Sequence, residues 1–148
     1  MTFKVSTGAR NQLLTSQALR DIFALGFLDI YAGTVPATAD DSIGAATLLC
    51  RVSDGGTGLG LNFNLATTSA GVLAKLSSQV WSGSNVAGGT ATFFRFVQST
   101  DDGSSSTTQV RMQGAVGTSG AELNLASVTL VLAALLTIDS FTVTVPTS

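Results

Sequence analysis

Charge is scarce in this sequence. Lys, Arg, Asp and Glu make up 11% of the 148 residues, less than half of the roughly 25% typical of globular chains. Glu122 is the single glutamate, and Lys4 and Lys75 are the two lysines. The five arginines are scattered and the formal net charge is −2, so neither nucleic acid nor a membrane is expected as a partner. Histidine is absent altogether, which removes the commonest general base and the commonest zinc ligand. Cysteine is limited to Cys50, in the apolar run Leu48-Leu49-Cys50. That excludes an intrachain disulfide, gives no support for export, and reads as a small buried hydrophobe. The most apolar stretch, Val128 to Leu136, falls far short of the ~20 residues that span a bilayer and is expected to be a core segment. Met1-Thr2-Phe3-Lys4-Val5-Ser6 carries no signal-peptide hydrophobic region, so synthesis in a cytoplasm and solubility until assembly are expected.

Apolar residues reach 45% and the mean hydropathy is +0.42. A chain with so little charge and so much apolar surface folds rather than staying disordered. Its length suits a single domain, residues 1–148, able to bury roughly 68–70% of its unfolded surface. The polar surface then falls to Ser, Thr, Gly, Asn and Gln. Charged side chains keep surfaces apart and are depleted from interface cores, so such a surface is suited to being covered by protein.

One helical signal stands near the start. Ser16 is an N-cap candidate, Leu19, Ile22 and Phe23 follow at helical spacing, and Gly26 is a stop. Leu13 and Leu14 belong either to an earlier turn or to a longer helix from about Ala9. Beyond Gly26 the apolar period becomes two. Strands are predicted at Phe27 to Tyr31, Ala46 to Val52, Gly60 to Leu65, Val72 to Leu76, Thr90 to Gln98, Thr107 to Gln113, Ser127 to Leu132 and Phe141 to Val145. Leu59, Leu61, Phe63 and Leu65 share one face. In Thr90 to Gln98 both faces carry bulk, Phe94 and Phe96 on one and Phe93, Arg95 and Val97 on the other, which suggests that both are covered. Gly33 to Asp41, Thr100 to Ser106 and Gly114 to Gly120 read as connections, and a bend or bulge is expected around Leu135 to Asp139. About eight short strands with regular turn signals indicate an all-β chain: a single β-sandwich or jelly-roll-like domain with a short N-terminal helix.

No motif carries recognisable chemistry. Asp40-Asp41 and Asp101-Asp102-Gly103 lack the spaced ligands of a calcium loop. Asp54-Gly55-Gly56-Thr57-Gly58-Leu59-Gly60 has Leu61 where a dinucleotide loop needs glycine, and no lysine follows as a P-loop demands. It reads as a hairpin. No catalytic residue, cofactor or metal is expected, and a hydrolase lacks its base. Trp81 is read as a core or interface anchor or, in the alternative, as a platform that stacks on a sugar.

Four segments carry a resemblance: Phe3 to Asn11, Ile30 to Asp40, Trp81-Ser82-Gly83 and Thr137-Ile138-Asp139-Ser140-Phe141. In these segments, and in its general run along nearly the whole chain, the sequence resembles small virion structural proteins of tailed bacteriophages. The resemblance implies a capsid decoration (cement) protein that stabilises the head shell, made in the host cytoplasm and located in the virion, with the major capsid protein or other virion proteins as partners. A tail or fibre component that binds glycan is the alternative. Self-association as a homotrimer is expected. The candidate interface residues are Phe3, Val5, Trp81, Phe93 and Arg95, with residues 1–11 as a candidate assembly arm that docks on a neighbour. An edge strand in the chain's own sheet is the competing account of that arm.

Overall fold

The computed structural model describes residues 3–15, 17–64 and 71–145. The elements run β1 (Lys4–Val5), α1 (Thr7–Thr15), α2 (Leu19–Ile22), β2 (Phe27–Ala32), β3 (Thr47–Asp54), β4 (Val72–Ala74), β5 (Trp81–Ser84), β6 (Gly89–Thr90), β7 (Phe93–Val97), β8 (Arg111–Gly117), β9 (Leu123–Asn124), β10 (Thr129–Leu130), β11 (Leu135–Ile138) and β12 (Thr142–Thr144). Seven strands form a sheet in the order β1-β8-β7-β2-β3-β5-β11, and β9 joins it beside β8. Every pairing along that path is antiparallel; β8–β9 is parallel. Two-stranded ribbons, β4–β12 and β6–β10, complete the strand inventory of the described residues. The chain is therefore an all-β, sandwich-like domain, as its periodicity predicts. No helix among the described residues is long and apolar enough to cross a membrane.

Alternation along the central strands, interrupted by a register shift at Ile30/Tyr31 between β2 and β3, builds two different faces. Val52, Leu28, Phe96, Met112 and Val5 stand opposite one another in a row across five strands. Cys50, Ile30 and Phe94 form the next row on the same face. These side chains meet Ile22, Phe23, Leu61, Phe63, Trp81, Phe141 and Val143 in one core. Aromatic rings dominate it: Phe96 and Phe141 pack against both Phe63 and Trp81, with centroids 5.4 to 6.1 Å apart. Gly114 lies inside β8 because the Phe94 ring occupies its side-chain position; an added Cβ would come within 2.7 Å of that ring. The connection expected from Gly114 onward is thus partly strand.

Lys4 and Val5 belong to the sheet. Lys4 pairs with Gln113 and Val5 with Met112, and the Phe3 ring stands edge-on to Phe94 and Phe141. Of the two accounts of residues 1–11, the described part fits the edge strand rather than an arm extended toward a neighbour. Ser6 caps α1: its Oγ accepts from Ala9 N at 3.1 Å and Arg111 N at 3.0 Å, and donates to Gln109 O. The predicted helix around Leu19 is α2, preceded by a separate α1, and Ser16 lies outside the described residues. Leu61 and Phe63 are buried as predicted, whereas Leu59 is exposed and Leu65 lies outside the described residues.

Candidate functional site

Three of the five residues expected at an interface lie inside the protein. Trp81 is fully enclosed by the aromatic core, and its Nε1 donates to Gln79 Oε1 at 3.2 Å. It offers no ring face to a sugar or a partner. Phe93 is buried against Tyr31, stacked at 5.0 Å, and Arg95 is buried too. The sheet face that carries them is roofed by the segments 33–46 and 98–109 of the same chain, which corrects their assignment to an interface. Phe3 and Val5 are half-buried in the sheet edge.

Beneath that roof lies a polar layer. Arg51, Asp29, Arg95, Gln113 and Lys4 stand opposite one another in a row across β3, β2, β7, β8 and β1. Arg95 Nε donates to Gln113 Oε1, and its Nη2 donates to the carbonyls of Thr38 and Asp41. Gln113 Nε2 donates to Pro36 O. Arg111 meets the Asp101 carboxylate at 2.5 and 2.7 Å and donates to the carbonyls of Ala39 and Ser104. Asp29 accepts from Arg51 and from the Tyr31 hydroxyl. Burial, and then the Asp29 charge, raise Tyr31 well above the ordinary phenol range. Burial, and then Arg111, lower Arg95 from its usual value.

The hydrogen bonds of this cluster hold the chain to itself: Arg95 and Arg111 bond loop carbonyls, and the Asp29 and Asp101 carboxylates bond Arg51 and Arg111. Arg95 Nη1 is buried without a hydrogen-bond partner, and Arg95 lines a cavity of about 190 Å³. Asp29, Asp101, Asp102 and Arg51 line the same cavity, and the Asp29 carboxylate is already paired with Arg51 and the Asp101 carboxylate with Arg111. The acidic pairs weighed as calcium loops are likewise engaged within the chain. Asp40 accepts from Thr7 N and Oγ1, Asp41 from Thr38 N and Oγ1, and Asp102 from Ser104 N and Oγ. Among the described residues no group of three or more His, Cys, Asp or Glu could hold a metal.

The surface that stands out is apolar. Val86, Val131, Leu132 and Leu135 are between 59% and 71% exposed. The expectation that Val128 to Leu136 is core holds in part: Leu130 is buried and Val128 and Leu136 pack against the core, but Val131, Leu132 and Leu135 face outward. Val131 to Ala134 instead form an outward turn, closed by Ala134 N donating to Val131 O at 3.1 Å. Asn85, itself buried, fixes that turn. Its Nδ2 donates to Val131 O, its N to Ala134 O, and its carbonyl accepts from Ala133 N, all at 2.8 to 2.9 Å. Ala133 takes a φ of +64°, which an L-residue adopts only under constraint.

A second apolar cluster lies at the other end of β5. Leu25, Leu59 and Val80 are between 57% and 65% exposed. Asp54 joins them: its N donates to Leu59 O, and its Oδ1 accepts from Val80 N. The segment from Asp54 to Leu59 is the hairpin turn that the sequence suggests, closed by a bridge between those two residues. Gly60 has no room for a side chain, because the Leu25 backbone lies against it. Leu25 has a φ of +59°, and its N donates to Asn62 Oδ1 at 3.2 Å. Hydropathy could not separate these residues from core, since an apolar turn and an apolar strand have the same composition.

Comparison with protein-family models, with curated proteins and with solved structures gives no match.

Proposed function

We propose that this chain is a non-enzymatic structural protein of a tailed-bacteriophage virion, a capsid decoration (cement) protein that packs against copies of itself and against the shell. The observation that carries the reading is the exposed Val131–Leu135 turn, fixed by the buried Asn85 side chain on a surface with few charges. Soluble monomers seldom display contiguous apolar clusters without a use for them. Covering a Val or Leu side chain contributes roughly 1.5–3 kcal/mol, and a turn already held in one conformation loses little entropy on docking. The buried Arg95 and Arg111 support the same reading, because they fasten loops of this chain. The phage assignment is supported by the resemblance of the four segments quoted above. Self-association as a trimer and contact with the major capsid protein go with it.

The test is location. Particles of the phage whose genome encodes this chain would be purified and labelled with an antibody against it. Even labelling of heads supports the decoration protein. Labelling confined to the tail moves the protein to the tail or fibre class, and absence from particles overturns the reading.

A further inference from the structure

We propose that the cavity between the sheet and its roof binds a small zwitterion, a free amino acid, with the ligand's carboxylate on Arg95 and its ammonium on Asp102. The inference goes beyond the virion reading and does not depend on it.

The cavity measures about 190 Å³. Its floor is sheet, with Arg95 and Val97 on β7 and Leu48 on β3. The opposite wall is Ile43 and residues 101–103 of the roofing segments. That roof is tied in place: Ile43 N donates to Gly103 O at 3.0 Å, and Gly103 N donates to Asp101 Oδ1 at 2.8 Å. A ligand thus meets a preformed space, which keeps the ordering cost of binding low.

Charge pairing identifies the two ends of the ligand. Asp29 is paired with Arg51, and Asp101 with Arg111. Arg95 and Asp102 are the charged residues of the cavity wall that have no ion pair among the described residues. Arg95 is 1% exposed, and its Nη1 has no hydrogen-bond partner, although Nε is taken by Gln113 and Nη2 by two carbonyls. A buried N–H of a charged group is costly until an acceptor reaches it. Asp102 is exposed and marks the rim; its Oδ1 accepts from Ser104 N and Oγ, which leaves Oδ2 open. A simple anion satisfies Arg95 and is repelled by Asp102, and a simple cation does the reverse. A zwitterion satisfies both, and Ile43, Leu48 and Val97 face the carbons between its charges. A cavity of roughly 150 Å³ takes benzene, so this one suits a ligand of about six to eight non-hydrogen atoms, the range from alanine to valine.

The experiment adds alanine, β-alanine, γ-aminobutyrate and valine in turn to the full chain at neutral pH. Binding is read by isothermal titration calorimetry and by nitrogen NMR of the arginine side chains. At least one of the four is expected to bind saturably, one per chain, and to shift the Nη signals of one arginine. Acetate alone and ethylamine alone should each bind at least about tenfold more weakly, since each gives up a charge-assisted hydrogen bond. Asp102→Asn keeps an acceptor for Ser104 and removes the charge. It should leave the melting temperature unchanged, weaken the amino acid about tenfold and spare acetate. Arg95→Lys should abolish binding, and the wild-type arginine signals carry that arm where the variant does not fold. No saturable binding by any of the four overturns the site and leaves Arg95 Nη1 to water. Acetate binding as tightly as the amino acids, or Asp102→Asn binding them as tightly as the wild type, overturns the zwitterion. None of these outcomes touches the virion reading, which rests on location.

Discussion

Asp29 and Arg51 face one another across β2 and β3 and join through two hydrogen bonds of 2.6 and 2.7 Å. Asp29 also stands opposite Arg95 on its other side, yet the Arg95 guanidinium bonds Gln113 and the loop carbonyls instead. Arg95 and Arg111, by contrast, direct their guanidinium groups at loop carbonyls and so tie backbone to sheet.

The tightest of these ties is Arg111–Asp101, both side chains almost wholly buried. Breaking a buried pair leaves an uncompensated charge. Asp101→Asn is expected to reduce stability by about 3–5 kcal/mol, read from urea unfolding. Arg111→Met with Asp101→Leu should not restore it, because Arg111 also holds the carbonyls of Ala39 and Ser104. Full recovery by the double variant would show that those carbonyl contacts contribute nothing.

Deleting residues 2–6 removes β1, the Phe3 ring and the Ser6 cap. Loss of a fully buried Phe costs about 3–5 kcal/mol; Phe3 is half-buried, so the expected loss is toward the low end of that range, roughly 5–10 °C in Tm for a domain of this size. A thermal melt checks it. An unchanged Tm combined with lost particle binding would return the segment to an assembly role.

Cys50 is fully buried, and burial followed by the Asp29 charge pushes its thiol up to about 11. The thiolate is the reactive form, so a thiol reagent at about pH 8 should leave the folded protein unmodified and label it fully in denaturant. Rapid labelling of the native chain would contradict the burial.

Asp40 has its pKa lowered: burial works against this, but the two hydrogen bonds from Thr7, with Arg10 and Arg111 nearby, outweigh it. A depressed folded-state pKa gives stability that is present above the ordinary carboxylate value and is lost as pH falls through the folded one. As pH falls below the ordinary carboxylate value, Asp40→Asn should therefore flatten part of the acid-side decline in Tm. An identical decline in both proteins would remove Asp40 from the acid response.

Much of the sheet was legible because period-two alternation is local. Phe27 to Tyr31 and Phe93 to Val97 announce strands, and the second, through bulk on both sides, announces cover on both faces. What covers Arg95 was not legible, since its partners Thr38 and Asp41 lie more than fifty residues away in a loop. Trp81–Ser84 gave no strand signal because Ser and Gly have low β-propensity. It is a strand because β3 and β11 flank it. The bend expected near Leu135 is instead β11, and the bend itself falls earlier, at Ala133. The Asn85 clamp left no sequence signature, as its three contacts are with residues more than forty positions on.

The sheet order has a consequence for how the chain is made. Lys4 hydrogen-bonds beside Gln113, and Trp81 beside Ile138. A ribosome releases about 5–20 residues per second from the N-terminus, so β1 emerges many seconds before β8 exists to receive it. Until then Phe3 and Val5 have no sheet to join, and neighbouring nascent chains expose the same unpaired segment. Pairings so distant in sequence also form slowly. High-yield production of this protein is thus expected to depend on what shields that early segment during translation.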